Sequence, residues 1–229
     1  MLPQTELAQE TSQSVTIAAH PVTLRGDLIL PRAAHGVVLF AHGSGSSRHS
    51  PRNRAVAAAL RANARVGTLL IDLLSTEEES VDASTRAFRF DIELLARRLE
   101  HAIQWLEANG STRSLGIGVF GASTGAAAAL VAAARRPDAV RAVVSRGGRP
   151  DLAGEALTAV QAPTLLIVGG RDHPVLELNQ GARKLLAGLS KLEVVPGATH
   201  LFEEPGTLDE VSRLAGAWFA RYLKVTPAP

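Results

Sequence analysis

Cysteine is absent from the 229 residues, which excludes a disulfide, a cysteine nucleophile and a thiolate metal site. Lysine is almost absent too: only Lys184, Lys191 and Lys224 stand among 24 basic residues, leaving 21 arginines. No Lys/Arg run reads as a nucleic-acid patch, and the net charge is only +2, so no nucleic-acid partner is expected. The apolar stretches fall far short of the ~20 residues that cross a bilayer. The N-terminal Met1-Leu-Pro-Gln-Thr-Glu has neither a basic n-region nor an apolar h-region. We therefore expect no membrane partner and a cytoplasmic location. The acidic run Glu77-Glu78-Glu79 has no histidine to complete a ligand set, so no metal is expected. With no Walker lysine and no G-x-G-x-x-G, no nucleotide cofactor is expected either.

What is present is enough for one folded domain: 46% of residues are hydrophobic and 20% charged. Residues 1–13 read as a flexible arm and 14–229 as a single domain. Strands are expected at Ser14–Ala19, Val22–Leu30, Gly36–Ala41, Val66–Ile71, Leu115–Phe120, Val140–Ser145, Pro163–Val168 and Leu192–Val195. Pro51 opens a helix at its favoured first-turn position, running to about Arg65. Leu73–Ser84 reads as an acidic loop. Apolar residues at Phe88, Ile92, Leu95, Leu99, Ile103 and Leu106 mark one face of a helix over Thr85–Ala108. Further helices are expected after Ser123 and over Leu152–Val160, Leu176–Leu189 and Thr207–Tyr222. Strands alternating with helices predict an α/β class, a mainly parallel sheet of about eight strands covered on both faces.

The chemistry is carried by Gly121-Ala122-Ser123-Thr124-Gly125, between an apolar strand and an Ala-rich helix. A G-x-S-x-G at a strand-to-helix turn exposes the serine hydroxyl above the sheet, and the helix N-terminus faces developing negative charge. Downstream lie Asp172, after Gly169-Gly170-Arg171, and His200, after Pro196-Gly197-Ala198-Thr199. The order Ser…Asp…His suits a nucleophile, an orienting acid and a base. Asp72 is the rival carboxylate, but it precedes the serine. His42-Gly43-Ser44-Gly45-Ser46-Ser47 follows the third strand, and the backbone N–H groups of Ser44 and Thr124 are assigned to an oxyanion hole. Arg146 and Arg149, past the strand that ends at Ser145, are candidates for holding a substrate carboxylate; the alternative is pairing with surface acids.

FAHGSGSS (40–47), GASTGA (121–126), VGGRD (168–172) and PGATHLF (196–202) together resemble a small α/β-hydrolase of the dienelactone-hydrolase-like group. The resemblance covers nearly the whole chain. Dienelactone hydrolases proper use a cysteine where this chain has Ser123, so the resemblance implies a general carboxylic-ester hydrolase. Only about seventeen residues, Arg146 to Ala162, separate two strands where a cap would insert. We expect an α/β-hydrolase fold without a cap, open to short or accessible acyl esters. The expected partner is a small-molecule ester, with the protein a monomer or homodimer. An acyltransferase or perhydrolase with the same triad, and a non-catalytic binding protein on this fold, remain alternatives.

Overall fold

The computed structural model describes residues 10–224. Eight strands form one sheet in the order β1-β2-β4-β3-β5-β6-β7-β8. These are β1 Glu10–Ala19, β2 Val22–Pro31, β3 Gly36–Ala41, β4 Gly67–Ile71, β5 Gly116–Ala122, β6 Val140–Arg146, β7 Thr164–Gly169 and β8 Ser190–Val195. The β1–β2 and β2–β4 pairs are antiparallel and the rest parallel. β3, β4, β5 and β7 are buried at every residue, as strands covered on both faces must be. Helices α1 (Pro51–Ala64) and α6 (Thr207–Tyr222) cover one face, where Phe40, Phe120, Leu60 and Phe219 pack together. α3 (Ile92–Ala108), α4 (Thr124–Arg135) and α5 (His173–Arg183) cover the other, with Leu99, Val119, Leu130 and Leu166 at its centre.

The strand order reverses at β3. Its chain continues to β4 on one side, whereas β5, on its other side, is reached only after β4. The loops leaving β3 and β5 therefore diverge, and a crevice opens at their carboxyl ends, where sheets of this type bind ligands. Ser44 and Ser123 lie on those two loops.

The structure differs from the sequence reading at several boundaries. The first strand begins at Glu10, not Ser14, because Glu10–Gln13 pair with Leu28–Pro31; the rest of the expected arm, residues 1–9, lies outside the described residues. α5 ends at Arg183, short of Leu189. Pro150–Ala159 is a 3₁₀ segment kinked at Gly154, wide enough for a crossover and no cap.

The larger correction concerns the acidic loop, which is a helix, α2 (Thr76–Thr85). Ser75 and Glu78 form a reciprocal capping box: Ser75 Oγ accepts from the Glu78 N–H at 3.2 Å, and Glu78 Oε2 accepts from the Ser75 N–H at 2.9 Å. Glu77, Glu78 and Glu79 suit the positive end of the helix dipole. Apolar periodicity misses this helix because Asp82 is its one buried residue. The long helix accordingly starts at Ile92, capped by Asp91, whose carboxylate accepts from the Leu94 N–H.

Glu78 is thus not a solvated acid. Its Oε1 lies 2.7 Å from Nη2 of Arg98, an arginine only 3% exposed, whose Nη1 donates to the Ala19 carbonyl. Replacing Glu78 with Ala removes both the cap and the counter-charge of a buried guanidinium. We predict a loss of about 3 kcal/mol in denaturant melts, with E78Q, which keeps the capping geometry, losing less.

Candidate active site

Ser123 stands between β5 and α4, as the N-cap of the helix, with φ +50° and ψ −122°. A non-glycine residue there costs of order 1–3 kcal/mol and persists only where the surroundings enforce it. Three backbone hydrogen bonds do so: Ser123 N–H donates to the Arg146 carbonyl at 3.3 Å, and the Ser123 carbonyl accepts from Arg149 N–H and Ala126 N–H, each at 3.1 Å. The flanking glycines permit the turn. A Cβ on Gly121 would lie 2.4 Å from Ala126 Cα, and one on Gly125 would lie 2.4 Å from the His42 carbonyl oxygen. Gly125 thereby lets the elbow press directly on the loop leaving β3.

His200 Nδ1 lies 2.6 Å from Asp172 Oδ2. Since a carboxylate only accepts, Nδ1 carries the proton and Nε2 is left as the free nitrogen. The loops bearing the pair are zipped together: Gly170 N–H donates to the Val195 carbonyl and Arg171 N–H to the Ala198 carbonyl, both at 2.9 Å. Gly147, which follows the strand that holds the Ser123 N–H, lies against His200: a Cβ there would be 3.6 Å from His200 Cε1. Ser123 Oγ itself makes no hydrogen bond to His200 in this structure. The rival carboxylate, Asp72, is committed elsewhere; it accepts from the Arg48 backbone N–H at 2.8 Å and pairs with the Arg48 guanidinium.

The glycine-rich loop is held by His42, which is 7% exposed. Leu73 N–H donates to His42 Nε2 at 3.0 Å, so the ring proton sits on Nδ1 and is given to the Gly43 carbonyl at 2.9 Å. Burial lowers the His42 pKa below its ordinary value, and the imidazole is neutral. Ser46 N–H also donates to the Gly43 carbonyl, at 3.2 Å. In a trans peptide the N–H points opposite the C=O. Tying the Gly43 oxygen inward therefore turns the Ser44 N–H outward, next to Gly43, whose Cβ position is 3.1 Å from Ser123 Cβ. Thr124 N–H, at the first turn of α4, is likewise without a helix partner.

Both arginines singled out in the sequence have other occupations. Arg149 forms a two-pronged pair with Asp151, at 2.9 and 2.7 Å. Arg146 is 5% exposed; its Nη2 donates to Asn53 Oδ1 at 3.1 Å and its guanidinium lies 5.9 Å from the Phe202 ring centroid. Burial, and Arg52 nearby, lower its pKa to about 10. It stitches the strand beside the elbow to the segment following His200. Asn179, fully buried on α5, donates to the Gly148 carbonyl at 3.0 Å and braces the same loop. Asn179 stands in no motif of the sequence, and Phe202 only closes PGATHLF; the role of each follows from contacts remote in the chain.

The dienelactone hydrolase family model matches residues 72–222. A solved dienelactone hydrolase from Anabaena variabilis ATCC 29413 is 57% identical, covers 94% of this chain and 99% of its own, and superposes with a TM-score of 0.92. Est1E from Butyrivibrio proteoclasticus, at 15% identity and a TM-score of 0.75 over 91% of this chain and 98% of its own, shares the fold. A Mycobacterium tuberculosis H37Rv protein provisionally named a phosphoribosyl transferase is 59% identical over 211 residues, 92% of this chain but 46% of the relative. The chain spans about half the length of the curated relatives it matches. Strand order, elbow and matched segment agree: this chain belongs to the dienelactone hydrolase family and is an α/β-hydrolase.

Proposed function

We propose that the chain cleaves carboxylic esters through an acyl-enzyme on Ser123, with His200 as base and Asp172 as the acid that orients it. The observations that carry this reading are the 2.6 Å contact from His200 Nδ1 to Asp172 and, on a separate loop, a serine held at φ +50° between a strand and a helix. In the first half-reaction His200 Nε2 takes the Ser123 proton as Oγ bonds to the acyl carbon. The alcohol then leaves with that proton. Water repeats the sequence to release the acid. The outward N–H groups of Ser44 and Thr124 receive the oxyanion. Asp172, with its side chain 12% exposed, stabilises the imidazolium without itself being protonated.

Without a cap, the crevice should favour short acyl groups. Transfer of the acyl group to an acceptor other than water, including peroxide, would use the same residues, whereas a binding protein with an idle triad would not react at all. The name phosphoribosyl transferase belongs to proteins of about twice this length, and nothing in the serine–histidine–aspartate geometry calls for it here.

S123A is expected to lower turnover by about a millionfold and to abolish labelling by a fluorophosphonate, with the melting curve unchanged. An unlabelled wild-type protein would favour the idle-triad reading. D172N should cost about 10⁴ in turnover by favouring the wrong imidazole tautomer, while D72N should retain far more. Initial rates on p-nitrophenyl esters should fall from butyrate to decanoate, because methylenes beyond the crevice bury little surface.

A fourth expectation concerns pH. The unfolded chain protonates His42 near the ordinary 6.5, whereas the folded chain resists. Stability should therefore be level above that pH and decline below it, by at most about 1.4 kcal/mol per pH unit from this residue. Denaturant melts between pH 8 and 5 measure the slope, and H42N should lose that part of it.

A further inference from the structure

A cavity of about 510 Å³ opens beside the glycine-rich loop, between it and α2 and α3. Its lining includes Ser44 and Gly43, whose Cβ position is 3.1 Å from Ser123 Cβ, and its wall carries Arg89 and Glu79, which the mechanism above does not use. Arg89 is anchored from behind: Nε lies 2.6 Å from Asp82 Oδ2 and Nη2 donates to the Asp82 carbonyl at 2.8 Å. The backbone N–H groups of Phe88 and Arg89 also donate to Asp82 Oδ1. These bonds leave Nη1 as the free prong of the fork. It rests against Gly45, 3.3 Å from where a Cβ would stand, and has no hydrogen-bond partner among the described residues.

The charges lining this cavity exclude one class of ligand. Arg89 is neutralised by Asp82, and Arg48, behind the loop, by Asp72 and Asp27. Glu79 has no ion pair among the described residues, and partial burial, with Asp72 next, raises its pKa. Asp82, Arg48 and His49 are the other charged or titratable groups around it. The balance is neutral to negative, so an anionic substituent entering here meets an uncompensated carboxylate. Polar capacity is nevertheless high: one fixed guanidinium N–H donor, one free carboxylate acceptor and the hydroxyls of Ser44, Ser46 and Ser47. Donors and acceptors side by side without net positive charge match a group that both donates and accepts, namely an alkyl hydroxyl.

Resting on the esterase reading, we propose that this cavity selects neutral esters whose alcohol part carries free hydroxyl groups, such as partly acylated polyols or sugars, with Arg89 Nη1 and Glu79 as the residues that recognise them. The leaving alcohol lies beyond the Ser44 donor, and the anchored guanidinium donates to one hydroxyl while Glu79 accepts from another.

The test holds the acyl group constant and varies the alcohol. Ethyl butyrate is the reference, glycerol 1-butyrate adds hydroxyls, and O-butyrylglycolate adds a charge to the alcohol part at nearly constant length; acid release gives kcat/KM for each. Wild type should prefer the glyceryl over the ethyl ester by at least about tenfold, the weight of a charge-assisted hydrogen bond. It should also disfavour the glycolate ester relative to ethyl butyrate. The glyceryl/ethyl ratio should fall about tenfold in R89M, and E79Q should lower it while relieving discrimination against the glycolate ester. R89M loosens the Asp82 anchor, so E79Q, which leaves that anchor intact, keeps the idea testable if R89M does not fold. Esters cleaved with unchanged ratios in both variants, or a wild-type preference for the glycolate ester, would overturn the proposal. If no ester is cleaved and a fluorophosphonate leaves Ser123 unlabelled, the esterase reading fails and takes this inference with it.

Discussion

The geometry around the crevice depends on one enforced backbone angle, the φ of +50° at Ser123. Such a conformation relaxes unless both its flanks and its peptide groups are held. Here the peptide groups are fixed by Arg146 at the end of β6 and Arg149 in the loop after it, and the flanks by Gly121, set against Ala126, and Gly125, set against the carbonyls of Ala41 and His42. The same contacts bring three loops together. One loop gives the outward N–H of Ser44, one the serine, and the third, through Gly147, sits against His200. Strain at one residue and proximity of the groups around it are consequences of the same packing.

Electrostatics plays a supporting part. Most of the ion pairs tie neighbouring elements: Arg98 with Glu78 joins α3 to α2, Arg48 with Asp72 fixes the loop after β3 to the end of β4, and Arg135 with Glu93 and Glu100 links α4 to α3. Arg146 departs from this pattern. It is buried with an aromatic ring and an amide for company, and its lowered pKa follows from that position. A guanidinium keeps its charge even so, since its pKa stays well above neutrality. It therefore serves as a stiff cross-link and not as a reagent.

Much of this was legible in the chain. The apolar runs Gly36–Ala41 and Pro163–Val168 read as doubly covered strands because nothing polar interrupts them, and the glycines around Ser123 read as an elbow because sterics leave few other residues. Chain order also points to Asp172 and His200, and the structure sets these two 2.6 Å apart. Less visible were features set by distant contacts. α2 reads as a loop because its apolar face is missing, although Ser75 and Glu78 carry a capping box in the sequence. The arginines are substrate candidates only by their place after a strand, which fixes their backbone but not the direction of their side chains; Arg149 takes the alternative of pairing with an acid, Asp151, and Arg146 turns to Asn53 and Phe202. Arg89 carries no sequence signal, because its part lies in one nitrogen without a partner among the described residues.

Ten of the twelve residues of α4 are buried, and eight of those are glycine, alanine or threonine, at positions 124–129, 132 and 133. Small side chains have almost no rotamers to exchange, and close-packed neighbours leave no room to enlarge them. This helix is therefore a poor place for the family to vary: nearly any change there costs folding before it alters reactivity. Diversity must accumulate instead on the opposite wall, at the exposed positions of α2 and the turn after it, where substitutions are cheap, with Glu78 and Asp82 as the fixed points that hold that wall. A lineage exploring new substrates would change its wall while keeping its floor, and sequence comparison across relatives should show divergence concentrated in 76–91 and little in 121–133.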